Sequence, residues 1–147
     1  MADVKKRPKI DAPFETDAEV EAMVERFEQL TWPYERWTHR CHLAVAVVFL
    51  SRFGYDEAVE RVRRGIDRYN RERGDPDGYH ETITLLFLRR VAADLRDRDG
   101  IGLARRVEEL SHVLTSRWPL AYYSAERLWS DEARRGWVDP DLRELDF

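Results

Sequence analysis

The chain has 147 residues, 43% hydrophobic and 37% charged, with 7 Gly and 6 Pro. That predicts one soluble domain burying roughly two thirds of its unfolded surface, and it excludes the collagen-like, disordered and disulfide-scaffold classes. Acids outnumber bases by 29 to 25, for a formal charge of −4, and opposite charges recur at i,i+4 as Glu57/Arg61, Glu60/Arg64 and Asp94/Arg98. A nucleic-acid partner, which needs basic residues gathered on one face, is therefore not expected.

Residues 1–13 carry Lys5, Lys6, Arg7, Pro8 and Lys9 without apolar periodicity and read as a flexible tail unless they dock. Thr16 and Glu19 have capping-box spacing, and Val20, Met23, Val24, Phe27 and Leu30 then recur at three and four residues, predicting a first helix over 17–30. Pro33 breaks it and is well placed to start a second helix over 34–53 that ends at Gly54. Asp56 reads as the N-cap of a third helix, with Ala58, Val59, Val62, Ile66 and Tyr69 on one face and Gly74 as its stop.

The turn cluster Asp75-Pro76-Asp77-Gly78 precedes a fourth helix starting near His80 and marked by Ile83, Leu86, Phe87, Val91 and Leu95. A fifth helix follows over 102–117, then a C-terminal arm of short turns rich in aromatics, in which Ser130 reads as a cap and Gly136 as a stop. No strand-period alternation is long enough for a sheet. The expected architecture is all-α: a single-domain bundle of four to five main helices over 14–147, with the arm sealing one end.

The lone Cys41 has no disulfide partner, no apolar stretch follows a basic start, and the longest apolar run, Leu43 to Leu50, is far shorter than the ~20 residues of a membrane span. A cytoplasmic protein with no membrane partner is expected. Glycines stand singly at helix ends, so no loop cradles a phosphate and no nucleotide cofactor is predicted.

Chemistry concentrates in five residues. On a continuous second helix Glu35, His39 and His42 fall on one face, because i, i+4 and i+7 align, and the same stripe runs on to Ala46, Phe49 and Phe53. The two imidazoles should therefore point inward, with Cys41 round the helix as packing. His80 and Glu81 open the fourth helix, where unpaired backbone donors favour a carboxylate, and without a metal the two would simply cap that helix.

Two inward side chains at i and i+3 can reach one ion, so His39, His42 and His80 are the candidate metal ligands. Glu81 or Glu35 would act as general base or fourth ligand, the metal being a divalent transition ion such as Zn, Fe, Mn or Ni. His112, in the fifth helix beside Val113 and Leu114, reads as a hydrogen-bonded core residue.

Through Trp37-Thr38-His39-Arg40-Cys41-His42-Leu43, Gly78-Tyr79-His80-Glu81-Thr82 and Tyr122-Tyr123-Ser124 to Gly136-Trp137-Val138-Asp139-Pro140, the chain resembles a group of small uncharacterised bacterial helical proteins. The resemblance spans most of 14–142 and implies that these segments belong together, without implying an activity. Two functions follow from the residues: a small-molecule metalloenzyme, hydrolytic or oxygen-dependent, or a metal-free binding or interaction module whose buried His/Glu network is structural.

Overall fold

The computed structural model describes residues 8–147, and among them every regular element is helical. The five long helices are α1 (Asp17–Glu28), α2 (His39–Arg52), α3 (Tyr55–Arg73), α4 (Glu81–Asp97) and α5 (Leu103–Val113). A 3₁₀ turn precedes α2 at Tyr34–Arg36. Another, at Trp118–Ala121, opens the arm, which continues as α6 (Ala125–Leu128) and α7 (Asp131–Arg135). No helix among the described residues is long and apolar enough to cross a membrane.

α2 is the central rod. It packs against α1, α3, α4 and α5, and every residue from Leu43 to Phe49 is buried, as expected of a helix that is apolar all round. The amphipathic helices close on it with Val20, Met23, Val24 and Phe27 from α1 and Ala58, Val62 and Tyr69 from α3. A smaller apolar cluster of Leu86, Tyr122, Tyr123, Leu128, Ala133 and Val138 lies under the arm, with Trp118 touching both clusters. The arm therefore seals α4, and α7 packs directly on that helix.

Local chemistry explains the boundaries. The Thr16 hydroxyl accepts from Glu19 N–H while the Glu19 carboxylate accepts from Glu15 N–H, a capping box displaced by one residue. Ser124 and Ser130 cap α6 and α7 through Arg127 N–H and Ala133 N–H. α1 ends at Glu28 rather than residue 30 because Leu30 turns into the left-handed region at φ 61°. Gly54, rather than Asp56, occupies the N-cap of α3, and Asp56 contributes its charge in the first turn. At Gly74 a Cβ would run into the Tyr34 ring, so glycine lets the 3₁₀ turn pack over the end of α3.

Two expectations need correction. The second helix is not continuous over 34–53: after the 3₁₀ turn the chain extends through Trp37 (φ −80°, ψ 84°) and Thr38 (φ −105°, ψ 171°), and α2 starts only at His39. Glu35 is therefore not on the helix that carries His39 and His42, and the one-face arithmetic fails for it. His112 is not a core residue either. It stands on the exposed face of α5, paired with Glu108 at 3.1 Å.

The expected tail divides. Residues 1–7 lie outside the described residues, while the following segment lies against the bundle: Ile10 N–H donates to Glu35 O at 2.7 Å, and Asp11 accepts from Thr38 and Arg40. This strap brings Lys9 and Asp11 beside the start of α2.

Candidate functional site

The break before α2 decides how its histidines are presented. His39 is the first residue of the helix, and its Nε2 lies 2.5 Å from Leu114 O at the end of α5. One turn on, the His42 Nδ1 lies 2.9 Å from Thr38 O. A carbonyl only accepts, so each of these nitrogens carries the ring proton. The lone pair of His39 is then on Nδ1 and that of His42 on Nε2.

Neither lone-pair nitrogen has a partner among the described residues. Among the described residues no buried side-chain nitrogen or oxygen lacks a partner, so both nitrogens are reached by solvent. The space that both imidazoles line is a half-open cleft of about 300 Å³ between α2, α3 and α4. Its walls are mainly apolar, with Ala46, Ile66, Ile83, Phe87 and Leu88, and its other polar groups are the hydroxyls of Thr84 and Ser116.

Both imidazoles are held neutral. Burial pushes the His42 pKa down to about 4, against the pull of the Thr38 carbonyl and with the charges of His39 and Lys9 acting in the same downward direction. His42 lies against the Trp37 ring, centroids 4.0 Å apart. Burial also lowers the pKa of His39, partly offset by its bond to Leu114 O and by Asp11. Phe87 meets the His39 ring edge-on at 5.1 Å.

The remaining predicted site residues do not join them. The His80 side chain is the N-cap of α4: Nδ1 accepts from Ile83 N–H at 3.1 Å, and Nε2–H donates to Leu128 O at 2.7 Å. Both ring nitrogens are thus engaged with backbone, and the ring stands edge-on to Trp129 at 5.9 Å. The Glu81 carboxylate accepts from Arg63 Nε at 3.0 and 3.1 Å and from Tyr79 O–H at 3.0 Å. Glu81 therefore clamps α4 to α3. Glu35 holds the N-terminal strap through its backbone carbonyl and does not line the cleft.

Among the described residues no group of three or more His, Cys, Asp or Glu side chains is placed to hold a metal ion. A centre built on His39, His42 and His80 together does not fit this arrangement, because His80 would have to abandon a cap and an interhelical bond. Cys41 is buried, its thiol donating to Arg36 O at 3.1 Å.

Two parts of the site carry no signal in the residue pattern. Ser116 lies beyond the end of α5. Lys9 and Asp11 come from the strap, and with His39, Arg40 and Ser116 they line an outer recess of about 470 Å³. Lys9 carried no signal beyond its charge, whereas Phe87 and Ile66 were legible as helical apolar positions.

No family model, curated protein or solved structure matches this chain, so its class is defined by its own fold and site. It is an all-helical domain with an apolar cleft, floored by two neutral, tautomer-fixed histidines.

Proposed function

We propose that the protein binds a small, mainly apolar molecule in the cleft between α2, α3 and α4, and that His39 and His42 recognise a hydrogen-bond donor on it. The observation that carries this reading is the pair of unpartnered, solvent-reached lone pairs on His39 and His42, two residues that line a cleft whose walls are otherwise largely apolar. Ligand sites are typically apolar concavities with a few placed polar groups. Here the placed groups accept, so the complementary ligand donates, as a hydroxyl does. The single buried thiol of Cys41 suits a reducing, cytoplasmic setting.

The test compares p-cresol with 4-methylanisole, which has the same apolar body without the donor, by calorimetric titration. A net hydrogen bond is worth ~1 kcal/mol, so cresol is expected to bind about fivefold more tightly. In His42→Phe, which keeps a ring against Trp37, that preference should disappear. Equal affinity for the two compounds, or no binding of either at millimolar concentration, would overturn the reading.

A second reading has one observation in its favour. Metal-ligating imidazoles commonly donate their other N–H to a backbone carbonyl, and His39 and His42 both do so. In that reading a divalent transition metal takes the two lone pairs and the small molecule completes its coordination. Untagged protein purified without chelators would carry near one equivalent of Zn, Fe, Mn or Ni, lost in His39→Ala/His42→Ala. Protein that also refuses all four added ions removes this reading and leaves the first.

A further inference from the structure

The apolar cleft and the outer recess are neighbours that share two lining residues, His39 and Ser116. Past His39 the lining changes from apolar to charged, with Lys9, Asp11 and Arg40 in the recess, and the Lys9 charge is close enough to act on the His42 imidazole. The charges there are unevenly satisfied. Arg40 is balanced by Asp11 and by Glu108. Lys9 donates to Tyr34 O at 2.7 Å and stands 3.3 Å over the Tyr34 ring, yet no carboxylate of the described residues lies within ion-pair distance of it.

Lys9 is thus an ammonium with donors left over, in the lining of a recess that shares His39 and Ser116 with the cleft. Its position is fixed by the strap, because Ile10 N–H is tied to Glu35 O and Asp11 to Thr38 and Arg40. Glu35 acts on Lys9 through space without pairing with it, and a cation without an ion-pair partner beside an apolar cleft favours an anion attached to an apolar body.

We infer that the ligand of the cleft is a hydroxyl-bearing aromatic carboxylic acid, with its hydroxyl at His42, its ring between the apolar walls and its carboxylate in the outer recess at Lys9. This rests on the cleft being a binding site, and it adds the acid. The ring is accommodated by Phe87, Leu88 and Ile66, and a para-substituted acid places its hydroxyl and carboxylate at opposite ends, one toward each space. Thr84 and Ser116 remain as secondary hydroxyl partners along the wall.

The experiment titrates 4-hydroxyphenylacetate, the near-isosteric neutral 4-hydroxyphenylacetamide and p-cresol into the full chain at low ionic strength, with Lys9→Met and Lys9→Arg alongside. Because Lys9 is exposed, the acid is expected to bind about threefold more tightly than the amide, with the advantage shrinking as salt is added. Lys9→Met should abolish the advantage and Lys9→Arg restore it. Equal binding of acid and amide, or an advantage that survives in Lys9→Met, overturns the inference while leaving the cleft as a site for neutral phenols. Failure of all three compounds, cresol included, overturns the underlying reading as well.

Discussion

Asp94→Ala is expected to lower the stability of the folded chain by about 3–5 kcal/mol, the range for breaking a buried ion pair by removing one partner. Asp94 and Arg106 are 5% and 3% exposed, joined at 2.7 Å across the α4/α5 contact. Arg106 also donates to Arg98 O at 2.6 Å, and Arg98 returns to the Asp94 carboxylate at 2.9 Å. Removing the carboxylate strands a guanidinium where water does not reach it. Urea unfolding of Asp94→Ala measures the loss, whereas Asp94→Leu/Arg106→Met should recover most of it, since an apolar pair of similar volume leaves nothing unpaired.

The same pair sets an acid limit. Burial pushes the Asp94 pKa up, but the hydrogen bonds and charges of Arg98 and Arg106 outweigh it and leave the pKa below the usual aspartate value of 3.8. A carboxyl whose folded pKa lies below its unfolded one contributes stability that is full above the unfolded value and is lost as pH falls through the folded one. The loss belongs below about pH 4, and Asp94→Asn should flatten that part of the stability profile.

Trp37→Ala is the second large effect and links the core to the cleft. The indole, 4% exposed, stacks on Phe27 at 5.0 Å with planes 10° apart, and its ring also meets Tyr69 at 4.8 Å and His42 at 4.0 Å. Truncation leaves a cavity where three rings met, at a cost of about 3–5 kcal/mol. It also removes the wall that desolvates His42, so the His42 pKa should climb from about 4 toward the ordinary 6.5. Urea unfolding and an NMR titration of the imidazole read the two consequences. A stability loss under about 1 kcal/mol, or an unmoved His42 titration, would separate the core from the cleft.

How much of this was legible in the sequence differs by level. The helices were, because amphipathic spacing on α1, α3, α4 and α5 and the unbroken apolar run of α2 report one face or all faces against a core. The break at Trp37 and Thr38 was not. Pro33 suits the start of either an α-helix or a 3₁₀ turn, and nothing in the residues after it announces a second start. That misjudgement placed Glu35 beside the histidines.

Tertiary pairings were hidden for a different reason. Asp94/Arg98 was visible as an i,i+4 pair, but Arg106 joins them only because α5, packed on α2 and α1, brings it to the end of α4. The position of His80 at the head of α4 was visible, and so was capping as the alternative to metal ligation, whereas its bond to Leu128 O was not, since that carbonyl comes from the arm. Of the candidate site, His39 and His42 were found from spacing. The His42 tautomer depends on Thr38 O, one turn back, which is at hand only because α2 starts at His39, and the His39 tautomer on Leu114 O, 75 residues away, whose position no local pattern encodes.

The most direct measurement of the central claim is the imidazole ¹⁵N spectrum of the labelled protein at neutral pH, with and without p-cresol. Two neutral rings are expected, His39 protonated on Nε2 and His42 on Nδ1, with the His42 Nε2 resonance moving as cresol saturates the cleft. A His42 ring charged at neutral pH or protonated on Nε2, or a spectrum in which saturating cresol moves neither imidazole, would contradict it.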